Sequence, residues 1–131
     1  MTEETERSTI DRNLESVLTD VKDFCGLYQE DRDFDSTICG CIDTVMATLC
    51  QLGVVPRDKL QSVRNDSLKW TDFFSDPVEL SMAKSYVRAK VRLMFDPPAS
   101  STILNALKEQ CAEYEWRAQF AVEYPVSNNP E

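Results

Sequence analysis

Two consecutive prolines, Pro97 and Pro98, stand between two long helical patterns and constrain the fold more than any other feature of this sequence. Neither has a backbone N–H to donate, and each disfavours helical backbone in the residue before it, so the preceding helix must end here. Ser100 or Ser101 can then accept hydrogen bonds from the free N–H groups that begin the next helix. The stretch predicts a tight connection between two helices, with Asp96 capping or bracing the turn.

Apolar residues recur at spacings of three and four over four segments, which predicts an all-α fold: a small domain of about four main helices. The predicted helices cover residues 11–25, 35–51, 78–95 and 102–122. Gly26 and Gly53 stand where the first and second helices should end in the left-handed conformation. Asp35 is the predicted N-cap of the second helix, and Met94 is predicted to lie on the core stripe of the third.

The long segment between the second and third helices lacks helical periodicity. Its aromatic residues, Trp70, Phe73 and Phe74, are predicted to anchor this loop to the core. Its valine-containing stretches at 54–55 and 61–63 fit either short strands or extended loop. The predicted organisation is one helical domain over residues 9–123, between a flexible acidic N-terminus (1–8) and a flexible tail (124–131).

The formal net charge of −9 lies mostly in the first 35 residues. A protein that wraps nucleic acid by neutralising phosphates should be basic, so the charge argues against that class. No apolar run approaches the roughly 20 residues that a membrane-spanning helix needs, and no membrane association is expected. The acidic N-terminus has no apolar region of the secretory kind, so we expect the chain to stay in the compartment where it is made.

The sequence also lacks the residues of common catalytic and metal sites. It has no histidine, which removes the commonest general acid or base, and no glycine-rich phosphate cradle. Asp31, Asp33 and Asp35 alternate like a calcium loop, but the glycine that should follow is missing and Ile42 stands where the closing glutamate belongs. We predict no enzyme activity, no cofactor and no metal site. The five cysteines are predicted to be free thiols acting as small buried hydrophobes: Cys25, Cys39, Cys41, Cys50 and Cys111.

Two apolar surfaces are candidates for contact with another subunit. The second helix carries a second apolar line, Cys39, Met46 and Cys50, besides its main stripe. Such a helix is either central and buried on both sides, or meets another subunit with one face. Trp116 and Phe120 lie four apart on the last helix and off its core stripe, which indicates contact with something outside the monomer.

A third candidate surface is basic. Lys84, Arg88 and Arg92 fall four apart on one face of the third helix. Three interpretations are open: a solvated face, an electrostatic partner for acidic residues of a neighbouring copy, or a phosphate-binding strip.

Taken in order, several short segments carry a resemblance to a known family. They are Phe34-Asp35 with Ile38, Leu49-x-x-Leu52-Gly53-Val54, Trp70-Thr71-Asp72-Phe73, Ala83-Lys84-x-Tyr86-Val87, Val91-Arg92-Leu93-Met94-Phe95-Asp96-Pro97-Pro98 and Glu115-Trp116-Arg117. This pattern resembles the head–tail connector (adaptor) proteins of tailed bacteriophages, over about residues 13–120. The run from Tyr86 through Ser101 is its most specific part. The longer acidic N-terminus and the tail past Tyr124 depart from the family pattern.

The resemblance implies a small all-α structural protein of the virion that assembles into a ring, typically a dodecamer. The ring would sit under the portal protein at the neck, extend the channel for double-stranded DNA without sequence-specific binding, and join the capsid to a stopper or tail-completion protein. Assembly would take place in the host cytoplasm. In this setting the tail residues Tyr124, Pro125 and Val126 are expected to dock on the portal.

The residues predicted to make the ring contacts follow from the three surfaces above. The subunit interface is predicted to include Lys84, Arg88, Arg92, Cys39, Met46, Cys50, Trp116 and Phe120. The turn at Asp96, Pro97 and Pro98 is predicted to set the angle between the last two helices. The alternative is a small acidic helical regulatory protein of the cytosol that binds one protein partner.

Overall fold

Four α-helices make up the fold: α1 (Val17–Phe24), α2 (Asp35–Gln51), α3 (Pro77–Phe95) and α4 (Ser101–Glu123). The computed structural model describes residues 16–123, and within that range it contains no β-strand. The prediction of an all-α domain with four main helices is confirmed. The predicted flexible ends, with Tyr124, Pro125 and Val126 among them, lie outside the described residues.

Side-chain caps and glycines define the helix ends. Ser16 Oγ accepts from the backbone N–H of Thr19 at the start of α1 (2.9 Å), and Asp76 does the same for Glu79 at the start of α3 (2.9 Å). Gly26 (φ 80°) and Gly53 (φ 85°) follow the ends of α1 and α2 in the left-handed conformation. Each of these caps satisfies backbone groups that a helix end leaves unpaired.

The predicted N-cap role of Asp35 is wrong. Helix α2 begins at Asp35, and its N-cap is Phe34, which makes no side-chain capping bond. The Asp35 carboxylate instead pairs with Lys22 Nζ (2.8 Å) and Arg32 NH1 (3.1 Å). The two cations compete with the backbone N–H groups of the helix for the Asp35 carboxylate. A hydrogen bond between two charged groups is stronger than one from a neutral N–H group, so the carboxylate pairs with the cations.

Helix α3 lies at the centre of the domain. It packs against α1, α2 and α4, and α2 also packs against α1. Met94, which was predicted to lie on the core stripe of this helix, is instead 44% exposed. Met94 lies in the last turn of α3, where the chain leaves the helix and neighbouring helices no longer cover it. The buried stripe consists of Leu80, Ala83, Tyr86, Val87 and Val91.

The long loop is anchored by its aromatic residues, as predicted. Trp70, Phe73 and Phe74 are all buried, with Trp70 in a 3-10 turn (Trp70–Asp72). Of the two conformations that fitted the valine-containing stretches, the structure has extended loop, with a further 3-10 turn at Arg57–Lys59. No helix in residues 16–123 has an apolar stretch long enough to cross a bilayer.

Asp20 is a fully buried carboxylate that joins three parts of the fold. One of its oxygens accepts from Trp70 Nε1 (2.9 Å), and the other lies 3.6 Å from Arg88 Nε. The guanidinium of Arg88 also lies over the ring of Phe24, 4.8 Å from its centroid. A buried charge is tolerated only when it is paired in this way. Asp20 therefore links α1 to the aromatic loop and to α3.

Lys22 forms a second buried polar centre. Its ammonium donates to the backbone carbonyls of Gln29 (3.1 Å) and Asp31 (2.7 Å) and pairs with Asp35 (2.8 Å). The hydrogen bond from Lys22 holds the pKa of the Asp35 carboxyl below its ordinary value, against a smaller opposing effect of burial. Lys22 therefore ties the loop between α1 and α2, which carries Asp31 and Asp33 and which we call the acidic loop, to α1.

Candidate assembly surfaces

The second apolar line of α2 lies largely inside the single chain. Met46 has no exposed surface and Cys39 is 6% exposed, while Cys50 is partly exposed. A side chain without accessible surface cannot contact a neighbour unless the chain opens. The burial of Cys39 and Met46 in the core of the single chain argues against their predicted role in a subunit interface.

The basic residues of α3 do not form a solvated face. Lys84 is buried and Arg88 is engaged with Asp20 and Phe24. Arg92 Nε donates to the backbone carbonyl of Asp96 (2.7 Å). Arg88 and Arg92 therefore already have partners within their own chain, which argues against a free phosphate-binding strip. Pairing of these residues with acids of a neighbouring copy stays a prediction.

The connection between α3 and α4 is built as the two prolines suggested. The Asp96 N–H donates to the Arg92 carbonyl (2.8 Å), and the Asp96 carbonyl accepts from the Arg92 side chain. Pro98 is buried and Pro97 exposed. Ser100, one of the two possible caps, accepts from the N–H of Ile103 (3.4 Å) through its hydroxyl. The bracing at Asp96 thus comes from its backbone and from Arg92.

Tyrosine–carboxylate hydrogen bonds fasten α4 to α3. The rings of Tyr86 and Tyr114 stack with centroids 4.8 Å apart. Tyr86 Oη donates to Glu115 Oε2 (2.6 Å), which also pairs with Lys90 Nζ (3.0 Å), and Tyr114 Oη donates to Glu79 (3.1 Å). Burial raises the pKa of Tyr114, and the nearby Glu79 carboxylate adds to the effect. Burial raises the pKa of Glu115, but its bonds to Tyr86 and Lys90 outweigh this and leave it below the ordinary value.

The outer face of α4 carries two exposed aromatic side chains. Trp116 is 63% exposed and Phe120 is 48% exposed. Their rings stack in parallel, with centroids 5.4 Å apart and an interplanar angle of 17°. At 100° per residue they point away from the buried side of the helix, which carries Cys111 and Tyr114. We call Trp116 and Phe120 the aromatic pair.

A second exposed surface, on α2, was missed by sequence reasoning. Six exposed residues line the side of α2 opposite its core stripe, and none is charged. They are Ser36, Thr37, Gly40, Thr44, Ala47 and Gln51, and we call this surface the small-residue face. A Cβ built on Gly40 would meet no atom within 4 Å beyond its chain neighbours and the backbone of its own helix. The signal was present in the sequence: this helix of 17 residues contains no lysine or arginine.

The two acidic residues of α2 do not contribute charge to that face. Asp35 pairs with Lys22 and Arg32, as described above. Asp43 accepts from Ser62 Oγ (2.7 Å) and from the N–H of Val63 (2.8 Å), which ties the loop to α2. Among the residues that the structure describes, no cluster of three or more histidine, cysteine or acidic side chains is arranged to hold a metal ion.

Comparison with known proteins gives one finding. A family model described as Phage connector protein matches residues 17–125, a range that takes in all four helices. Neither the curated proteins nor the solved structures contain a match.

Proposed function

This chain belongs to the phage connector protein family, and we propose that copies of it close into a ring between the portal of a phage head and the next protein of the neck. Family membership makes the chain a structural part of the phage head–tail connection. The ring, its position under the portal and its extension of the DNA channel are our proposal. No step of this role requires catalysis.

The aromatic pair is the observation that supports assembly best. A tryptophan left 63% exposed and stacked on an exposed phenylalanine is costly in water and typical of contact surfaces. Aromatic residues of this kind contribute much of the binding energy at protein interfaces. We propose that the aromatic pair forms a lateral contact between neighbouring subunits of the ring.

The charge of the chain suits a passage for DNA. Each copy carries −9, so a ring of such copies repels phosphates, which favours sliding over binding. The tail residues Tyr124, Pro125 and Val126 are proposed to dock on the portal. Lys84, Arg88 and Arg92 are proposed as a minor, electrostatic part of the subunit contact, since Arg88 and Arg92 already have partners within the chain.

The test is the native mass of the chain, alone and mixed with the portal protein encoded in the same genome. We expect a ring-sized mass increment on the portal. Trp116→Ala should reduce the assembled fraction at least tenfold. Tyr28→Ala is the matched control, because Tyr28 is an aromatic residue 79% exposed elsewhere on the surface, and it should leave assembly unchanged.

Two outcomes would contradict the proposal. Equal losses in the Trp116 and Tyr28 variants would mean that exposed aromatic residues act non-specifically. A monomer or dimer that ignores the portal would rule out the ring and favour the alternative, a regulatory protein with one protein partner.

A further inference from the structure

We propose that a basic loop of one copy docks on an apolar patch of the next copy, at the N-terminal end of its α2. This inference rests on the proposed ring and names two of the surfaces that meet in it. The basic loop is residues 57–64, and the apolar patch, which we call the end patch, consists of Phe34, Met94 and Phe95. A head-to-tail ring needs two different, complementary patches on each subunit, and these two surfaces provide them.

The end patch is apolar surface left uncovered where α2 begins and α3 ends. Phe34 immediately precedes α2, and Phe95 is the last residue of α3. Their rings meet edge to face, with centroids 5.5 Å apart and an interplanar angle of 70°. Phe34 and Met94 are each 44% exposed, and Phe95 is partly exposed. Exposed aromatic and methionine side chains side by side are typical of protein contact surfaces.

Unpaired acids flank the end patch. Asp33 and Asp96 are exposed, and each adjoins a phenylalanine of the patch in the sequence. Neither carboxylate forms an ion pair with a residue in 16–123. The neighbouring cations are already engaged: Arg32 pairs with Asp35, and Arg92 donates to the backbone carbonyl of Asp96. A surface that covers the end patch is therefore attracted most strongly if it brings cations of its own.

The basic loop is such a surface. It contains three cations, Arg57, Lys59 and Arg64, against one acid, Asp58. Arg57 and Arg64 are exposed, Lys59 is partly exposed, and none of the three pairs with an acid among the residues that the structure describes. Leu60 lies between them in the sequence and is 39% exposed. The loop thus presents an apolar side chain among cations, which complements an apolar patch flanked by acids.

Helix α2 keeps the two surfaces of one copy apart. Phe34 stands at its beginning, whereas Arg57 follows its last residue by six positions. A helix of 17 residues is about 25 Å long. The bond from the Val63 N–H to Asp43 (2.8 Å) holds the end of the loop beside the middle of α2, short of Phe34. One copy therefore cannot join its own two surfaces, whereas a neighbour placed head to tail can.

Local charge identifies a second copy as the occupant, because the surface that the end patch requires is present on the chain itself. Among the exposed cations of residues 16–123, those outside the loop are either paired or isolated. Arg32 and Arg117 pair with acids of their own chain. Lys69 and Lys108 each stand without another cation within four residues on either side. In a ring of identical subunits, one rotation brings the basic loop of every copy to the end patch of the next.

A charge swap tests whether the two surfaces meet each other. Arg57→Glu with Arg64→Glu reverses the loop, and Asp33→Lys with Asp96→Lys reverses the flanks of the end patch. Each double variant alone opposes like charges at every contact, so we expect its assembled fraction by native mass to fall about tenfold or more. An equimolar mixture restores opposite charges at both contacts of an alternating ring. We expect it to regain assembly to within about twofold of the wild type.

Two controls separate the contact from folding and from net charge. Lys69→Glu with Lys108→Glu changes the total charge as the loop variant does, on exposed residues outside the loop, and should keep assembly within about twofold of the wild type. The end-patch variant makes the chain less negative, so net repulsion cannot explain its loss. Thermal unfolding of each monomer should match the wild type, because the four exchanged side chains are exposed.

The outcomes distinguish this inference from the proposed function. If the wild type assembles and the loop and end-patch variants assemble as well as the control, the ring uses other surfaces and this inference is wrong. It is also wrong if both folded variants fail alone and their mixture fails too, since the surfaces then meet some other partner. If the wild type fails to assemble both alone and with the portal, the proposed ring fails, and the inference falls with it.

Discussion

The buried ammonium of Lys22 lies against the loop whose alternating acids resembled the start of a calcium loop in the sequence. Its ammonium contacts the backbone carbonyls of Gln29 and Asp31 and the carboxylate of Asp35, so among the alternating acids at 31, 33 and 35 it pairs the charge of Asp35. A lysine is almost never fully buried unless it is paired. The spacing of apolar residues predicted that Lys22 lies on the first helix. Its burial depends on how the following loop folds over it, and the spacing of neighbouring residues does not predict that fold.

We predict that Lys22→Met lowers the free energy of unfolding at pH 7 by about 3 kcal/mol, because it leaves buried oxygens without their partner. The pKa of Asp35 is lowered in the folded protein. Its contribution is therefore present above the unfolded pKa, near pH 4, and is lost as the pH falls through the folded value. The difference between wild type and variant should narrow as the pH is lowered from 5 to 3.

Urea unfolding at several pH values measures this difference. Lys108→Met is the matched control, because Lys108 is exposed on α4, and it should change the free energy of unfolding by no more than about 0.5 kcal/mol. A Lys22→Met effect that does not vary with pH would mean that Asp35 is not the partner that matters.

At the level of elements, the sequence predicted where most helices begin and end better than it predicted which of their side chains are buried and what those side chains contact. Periodicity and glycines gave the bounds of α2 closely, because these signals are local, whereas the first helix, predicted over 11–25, begins at Val17 in the described residues, with Ser16 as its N-cap. The same reasoning gave Lys84 and Arg88 a solvated or intermolecular role, whereas Lys84 is buried and Arg88 reaches Asp20 on α1. A long cationic side chain can extend along apolar surface to a distant partner, and its position on a helix does not reveal this.

A candidate surface could be predicted where a residue type is unusual for its position on the helix. The aromatic pair was found because large aromatics lie off the core stripe of α4, and its exposure agrees. Met46 was ambiguous, since a second apolar face suits a central helix and an interface equally well. The small-residue face was missed although α2 contains no lysine or arginine, because that absence alone does not show which residues share one exposed side.

The attachment of α4 to α3 can be tested with a single substitution. Beyond its buried stripe, α4 is held to α3 by the bonds of Glu115 with Tyr86 and Lys90. Glu115→Gln removes the carboxylate charge that Tyr86 and Lys90 donate to and leaves the Lys90 ammonium without its counter-ion, so we expect a loss of about 1–2 kcal/mol. The backbone amides of α4 should exchange with solvent faster, while those of α2 change less.

Hydrogen exchange followed by mass spectrometry measures this change. Glu113→Gln is the control, because the exposed Glu113–Arg117 pair on the same helix contributes only about 0.3–0.5 kcal/mol. Equal acceleration of exchange in both variants would show that the bonds of Glu115 do not hold α4 in place.

For the whole molecule, net charge makes assembly depend on salt. Copies that each carry −9 repel one another, and about 0.15 M salt screens such repulsion beyond roughly 8 Å. Ion pairs within a contact are closer than this and are screened less, so raising NaCl from about 20 to 200 mM should increase the assembled fraction. Light scattering across a salt series measures it. A fall in assembly with salt would instead show that exposed ion pairs between copies outweigh their net repulsion.

The five cysteines form no disulfide in the fold, and their environment has a consequence for the durability of the particle. Burial raises the pKa of the Cys25 thiol to about 11 and also raises the pKa values of Cys39, Cys41 and Cys111. Oxidants and alkylating agents attack the thiolate, so these sulfurs react slowly at neutral pH. A phage particle leaves a reducing cell for an oxygenated medium and persists there. Burial of these four thiols is therefore expected to slow the oxidative ageing of the connector.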